Sequence, residues 1–176
     1  FATYGFRGNL PPDLRAETGR VLARWKDAGW GTAVAAGKQA GHFPDELADA
    51  VAEMIRERWQ PAPPPAWVTC IPSRAHPRLV PDFAQRLAAR LGLPFHPAVV
   101  KLRDNEPQKL QHNRFHQCQN VDGVFGIHGD IPAMPVLLVD DMVDSGWTLA
   151  VAAALLRQAG SGPVWPLALA DTGTGD

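Results

Sequence analysis

The chain predicts an α/β fold: a parallel sheet with helices on both faces, preceded by an α-helical N-terminal cap. Three observations carry that expectation. Beyond residue 65, short apolar runs alternate with amphipathic stretches, the pattern of strand–helix–strand units. One run, Val136-Leu137-Leu138-Val139, reads as a buried strand and leads through two acids and a short polar loop into a helical stretch. The stiff connector Pro61-Ala62-Pro63-Pro64-Pro65 separates this body from what precedes it. The expected division is residues 1–65 as helical cap or hood and 66–176 as α/β core.

The elements follow in order. Residues 11–60 read as helical. Pro11 and Pro12 suit a first turn, and Leu14, Val21, Leu22 and Trp25 recur at near-helical spacing. Gly29-Trp30-Gly31 breaks that run. Phe43-Pro44-Asp45-Glu46 starts a second helix with acids in its first turn, and Leu47, Val51, Met54 and Ile55 form its apolar stripe. After the connector, Ala66–Ile71 is a strand, Pro77–Leu91 a helix closed by Gly92, and Phe95–Leu102 a strand. Residues 103–111 form a polar loop and 113–120 a short helix. The Val136 strand, a helix over Leu149–Ala159 and a last strand over Val164–Ala170 complete the body. Ligands of such sheets bind outside the carboxyl ends of the strands. Loops 72–76, 103–112 and 140–148 should therefore meet.

Composition narrows the function classes. Seventeen basic residues face 18 acidic ones, a net charge of −1 that creates no whole-chain field for nucleic acid. The distribution is uneven. Residues 74–114 hold eight Lys/Arg against three acids, a local +5, whereas 115–176 hold one base against seven acids, a local −6. A basic middle facing an acidic end suits an anionic ligand. Arg86 and Arg90 read as ordinary helix-face charges. The two cysteines, Cys70 and Cys118, indicate no disulfide framework, and a reducing cytoplasm fits them. No apolar run reaches 18 residues, so no membrane span is expected. His112, His116 and Cys118 lack a fourth zinc ligand and read as a solvated helix. The missing initiator Met suggests a piece of a longer chain.

The chemistry concentrates at residues 140–148. Backbone N–H groups at a helix start cradle a phosphate, and the helix dipole favours the anion. Gly146 lets the backbone approach, and Ser145 and Thr148 add hydroxyl donors. Asp140 and Asp141 can accept from ribose hydroxyls or hold Mg²⁺, directly or through water. Upstream, Ser73 and Arg74 follow a strand and could grip a diphosphate through a hydroxyl and a planar fork of donors.

This pattern resembles the signature of type I phosphoribosyltransferases: apolar strand, acidic pair, two apolar residues, then Asp144-Ser145-Gly146-Trp147-Thr148. Trp147 is larger than that family's usual residue. It either narrows the site or packs outward on the cap. The resemblance implies a Rossmann-like parallel sheet, a phosphoribosyl diphosphate (PRPP) or nucleoside monophosphate ligand, and Mg²⁺. It assigns residues 144–148 to the 5′-phosphate, Asp140 and Asp141 to the ribose, and Ser73 and Arg74 to the diphosphate, with Lys101, Arg103 and Lys109 as further candidates from a mobile loop. Asp144 stands where members acting on 6-oxopurines carry a base, so a purine acceptor is the first expectation. Its alternative role is helix N-cap. The nucleobase hood must come from residues 1–60, where Trp30 and Phe43 could stack on a base or belong to the core.

Residues 101–125 look like the ComF family of phosphoribosyltransferase-like proteins through Arg103, Pro107-Gln108, Arg114 and Asn120-Val121-Asp122-Gly123-Val124-Phe125. Trp30-Gly31, Gly37-Lys38 and Phe43-Pro44-Asp45-Glu46-Leu47 resemble the phosphoribosyltransferase-like C-terminal domain of some bacterial RecQ-type DNA helicases. These likenesses imply an alternative: a non-catalytic nucleotide-sensing or interaction module in DNA processing. Nucleic acid would then be met through the parent protein, with thin support for direct single-strand binding by this domain. A homodimer is compatible with either reading.

Overall fold

The computed structural model describes residues 10–103 and 123–173. Its elements are β1 (Arg20–Arg24), α1 (Trp30–Ala40), α2 (Asp45–Glu53), β2 (Trp67–Cys70), α3 (Leu79–Leu91), β3 (Val99–Lys101), β4 (Phe125–Ile127), β5 (Val136–Val143), α4 (Trp147–Gln158) and β6 (Val164–Asp171). Four strands form a parallel sheet in the order β1-β6-β5-β2. The α/β class and the parallel sheet are as expected.

Strand β5 lies inside the sheet, and its sequence shows how both faces are filled. Val136, Leu137, Leu138 and Val139 are all fully buried. Successive side chains of a strand point to opposite faces. Leu137 and Val139 join Leu167, Leu169 and the apolar faces of α2 and α3. Val136 and Leu138 join Val164 and the buried face of α4 on the other side. A continuous apolar run is what a strand covered on both faces requires.

The N-terminal segment departs from its expected helix. Arg20–Arg24 is a strand, paired in parallel with β6 through Val21↔Ala168 and Ala23↔Ala170. Without it β6 would be an open edge, and pairing that edge outweighs the local helical pattern. Gly19 permits the approach, since a Cβ there would lie 2.7 Å from the Pro166 carbonyl oxygen. Gly29-Trp30-Gly31 opens a helix rather than breaking one: Gly29, at φ 82°, is the N-cap of α1. A Cβ on Gly31 would collide with the Arg24 carbonyl, so β1 and α1 turn tightly on each other.

Helix α2 begins after Pro44, with Asp45 and Glu46 in its first turn, and continues as a wider π-turn over Met54–Trp59. Trp59 meets Trp165 edge-on at 6.0 Å, and Trp165 Nε1 donates to the Pro63 carbonyl at 2.9 Å. Residues on both sides of the proline connector share one apolar cluster, from Val34 and Leu47 to Val68 and Leu137. The connector marks a change of composition while packing runs across it. Arg86 and Arg90 tie α3 to α2 through Asp45 and Asp49, and Asp82 holds Arg86 from within α3.

Beyond α3, which ends at Gly92 as expected, the anticipated strand Phe95–Leu102 is short. Phe95 makes a single bridge to Val68, and a strand resumes only at Val99. Pro97 has no N–H to offer a ladder between them. Strand β3 pairs antiparallel with β4, an element not expected from the sequence. The expected helix 113–120, Lys109, Arg114, and the His112, His116 and Cys118 group lie outside the described residues.

Candidate ligand site at the carboxyl end of the sheet

Strand β5 continues past its apolar half into Asp140-Asp141-Met142-Val143, still paired to β6. The acidic pair therefore stands on a rigid strand and not on a loop. Asp140 Oδ1 accepts from the Asp141 N–H, and Asp141 Oδ1 from the Met142 N–H, both at 2.8 Å. These bonds fix both carboxyl groups. Burial, and next the adjacent Asp141 charge, hold Asp140 well above the usual carboxylate range, with Lys38 opposing. Below the pair sits Cys70, whose thiol is pushed up to about 12 by burial and then by the Asp140 charge. It is a core group and not a nucleophile.

The loop 144–146 turns from β5 into α4. Gly146, at φ 84°, is the N-cap, in a conformation that side chains rarely adopt. Asp144 is exposed and lies two residues before the N-cap, so the capping alternative for it does not hold. Ser145 Oγ accepts from the Trp147 N–H at 3.4 Å, and no side chain caps α4 among the described residues. First-turn amides of a helix have no intrahelical acceptor, so this end offers donors and partial positive charge to an anion. Thr172, at the end of β6, bonds the Val143 carbonyl through its N–H at 2.8 Å and its hydroxyl at 3.3 Å.

These pieces surround a cavity of about 600 Å³. Asp140, Asp141 and all of residues 144–148 line it together. The structure thus brings one expected group into a single place. Trp147 lines the cavity and also packs on the α4-side core cluster. Ser73 and Arg74 are not in the lining. Ser73 Oγ accepts from the His76 N–H, while Arg74 donates to the carbonyls of Lys101 at 3.3 Å and Leu102 at 3.0 Å. Arg74 therefore draws the β2 loop to the end of β3, next to Arg103. The expected base-stacking rings need correction. Phe43 is fully buried, edge-on to Phe83 at 5.7 Å, and belongs to the core. Trp30 is exposed at the start of α1 and does not line the cavity.

Three lining residues escaped the sequence reading: Trp25, Lys38 and Thr172. Trp25 follows β1, and its N–H donates to the Asp171 carbonyl at 2.9 Å. Lys38 reaches from α1 to Asp141 Oδ2 at 2.9 Å and to Met142 Sδ at 3.4 Å. Only the expectation that residues 1–60 must supply a hood pointed toward Trp25 and Lys38. No local motif marks Trp25 or Thr172, and the Gly37-Lys38 likeness gives Lys38 no role in a site.

Whether the acidic pair fits a directly bound Mg²⁺ can be read from its donors. Mg²⁺ asks for near-octahedral oxygen ligation at about 2.0–2.1 Å. Here Asp141 has one oxygen on an amide and the other on an ammonium, and one Asp140 oxygen is on an amide. Among the described residues no group of three or more His, Cys, Asp or Glu could hold a metal. The pair as it stands does not fit a directly coordinated Mg²⁺.

The fold and site define a class: a parallel α/β protein with an acidic pair and an anion cradle at the carboxyl end of its sheet. Residues 42–167 match the family model of the phosphoribosyl transferase domain, and the chain belongs to that family. The chain is similar to a ribose-phosphate pyrophosphokinase from Nostoc sp., 42% identical over 71 residues, which is 40% of this chain and 21% of that protein. It thus spans about a fifth of that curated relative. Among solved structures it is similar to a purine phosphoribosyltransferase from Pyrococcus horikoshii, with 26% identity, a TM-score of 0.45, and 72% and 71% of the two chains covered. Another is the adenine phosphoribosyltransferase of Trypanosoma brucei in complex with AMP, pyrophosphate and ribose-5-phosphate, with 12% identity, a TM-score of 0.48, and 78% and 67% covered. No helix among the described residues is long and apolar enough to cross a membrane.

Proposed function

We propose that this domain binds PRPP in the cavity at the β5–α4 junction and transfers its phosphoribosyl group to a nucleobase, a purine first. The carrying observation is that Asp140, Asp141 and the whole 144–148 loop line one cavity. In this reading the α4 amides with Ser145 and Thr148 hold the 5′-phosphate. The acidic pair accepts from the ribose hydroxyls. Ser73 and Arg74, gathered with Lys101 and Arg103 at the β3 end, meet the diphosphate, and Lys109 belongs to the same candidate group. Mg²⁺ belongs to the substrate in this reading, carried on the diphosphate.

In the reaction the C1′–O bond breaks, its electron pair leaves with the diphosphate, and a base nitrogen forms the new bond to C1′. Positioning and charge stabilisation supply the catalysis. In this reading Asp144, exposed at the cavity and not engaged as N-cap, takes the proton from the incoming base. Trp25 replaces Trp30 and Phe43 as the ring able to stack on that base.

The test is calorimetric titration of PRPP with Mg²⁺ into the wild type and into the Asp140→Asn/Asp141→Asn double variant. Micromolar binding, on the order of −8 kcal/mol, lost in the double variant, supports the site. No binding by folded wild type overturns it. Diphosphate release with a purine then supports transfer. Binding without release across a purine and pyrimidine panel favours the non-catalytic module that the ComF-like and RecQ-type resemblance suggests.

A further inference from the structure

We infer that Lys38 is the built-in cation of the acidic pair, so that this site grips the diol of a phosphorylated ribose without a divalent metal. The inference rests on the phosphoribosyl reading of the cavity and deepens it. Lys38 Nζ lies 2.9 Å from Asp141 Oδ2, with side chains 30% and 16% exposed. Partial burial strengthens that attraction relative to open water. A dication arriving at Asp141 would face the ammonium at close range and would have to displace it.

The ammonium is also held in place before any ligand arrives. Helix α1 is seated by Val34, which is fully buried, and by Gly37 against Phe43, where a Cβ would lie 2.7 Å from a ring atom. One turn of backbone therefore fixes where the lysine stem leaves the helix. An ammonium has three donors. Two point at Asp141 Oδ2 and Met142 Sδ. The third remains for a ligand oxygen, and Lys38 lines the cavity that holds the phosphate loop. The same side chain lines a second, neighbouring cavity of about 640 Å³ together with Trp25 and Gln39. Lys38 thus stands between the ribose position and the space beyond it.

The test uses ribose 5-phosphate titrated by calorimetry into the whole chain, once with Mg²⁺ and once with EDTA. Lys38→Met keeps the apolar stem and removes the charge, while Lys38→Arg keeps the charge. Wild type should bind equally, within about twofold, in both buffers, a gap small against tenfold steps of affinity. Lys38→Met should lose about tenfold or more in EDTA and regain most of it with Mg²⁺, because the released carboxylate then accepts a metal. Lys38→Arg should stay near wild type in EDTA. A merely structural lysine would not create metal dependence, and thermal melts identify any variant that fails to fold. Wild-type binding that requires Mg²⁺ overturns this inference alone, as does Lys38→Met binding like wild type in EDTA. Absence of wild-type binding in both buffers overturns this inference, and the PRPP titration above then separates its failure from that of the phosphoribosyl reading.

Discussion

The β5–α4 crossover and the β1–α1 segment line the same cavity, yet they reach it in opposite ways. The crossover carries its chemistry in consecutive residues, Asp140 to Thr148, on a strand whose first half is fully buried. The β1–α1 segment contributes two isolated side chains, Trp25 and Lys38, thirteen residues apart. The first has local geometry that would suit a ligand on its own: a left-handed glycine, an uncapped helix start and an acidic pair. The second becomes a wall only because β1 pairs with β6 and α1 packs on Phe43. A crossover can therefore be altered at one position, whereas the opposite wall moves whenever its packing does.

Phe43→Ala should break the packed wall most severely. The ring is fully buried against Phe83 and Gly37. Truncating a core Phe costs about 3–5 kcal/mol. Urea denaturation should show a loss of that size. PRPP binding measured on the folded fraction should fall far less than it would had the ring stacked on the base. Unchanged stability with lost binding would return Phe43 to the site.

Gly146→Val should do the reverse, sparing the core and damaging the cradle. A β-branched residue at φ 84° is strained by about 1–3 kcal/mol. The loop would relieve that strain by leaving the conformation that presents the α4 amides. PRPP affinity should drop about 100-fold, or ~2.7 kcal/mol, while far-UV circular dichroism stays native. Wild-type affinity in this variant would mean that the phosphate is held elsewhere.

The same contrast explains what the chain reveals in advance. The β5 run, Asp140-Asp141 and the Ser145-Gly146-x-Thr148 loop are contiguous, and each residue type fits its local backbone. Strand, acidic tip, loop and helix are therefore readable from one dimension. Strand β1 is not, because Leu14, Val21, Leu22 and Trp25 are spaced for a helix and only the open edge of β6 makes Arg20–Arg24 a strand. Gly29-Trp30-Gly31 misleads for a related reason: glycine interrupts a helix in general, but at φ 82° it serves as the cap that starts one. Phe43 and Trp25 are both aromatic residues in the N-terminal region. Which one is core and which one faces a cavity depends on α3 and β6, elements separated by more than seventy residues of chain. Lys38 appears in the sequence only within the Gly37-Lys38 likeness, and its place in the site is found through Asp141.

Trp25→Ala sharpens the contrast from the side of the packed wall. The indole is half-buried and lines both neighbouring cavities. Losing an aromatic partner for a planar base should cost about 0.5–1.5 kcal/mol. The loss should appear in the binding of a purine monophosphate and not in that of ribose 5-phosphate. Equal losses for both ligands would place Trp25 against the sugar instead of the base.

The gentlest effect is the slope of stability against pH, and it separates the acidic pair from the wall that neutralises it. Asp140 is held above its ordinary value by burial first and by Asp141 second, and Lys38 pulls it back. A carboxyl raised in the folded state binds its proton more tightly there than in the unfolded chain. Its contribution to stability is therefore complete below the unfolded value and is lost as pH rises through the folded one. Unfolding free energy should decline over that window in the wild type. Asp140→Asn cannot ionise there and should flatten the decline. Lys38→Met removes the opposing positive charge and should carry the decline to higher pH. If wild type, Asp140→Asn and Lys38→Met gave superimposable profiles by urea titration, Asp140 would not be titrating against the α1 wall, and Lys38 would lose its electrostatic connection to the site.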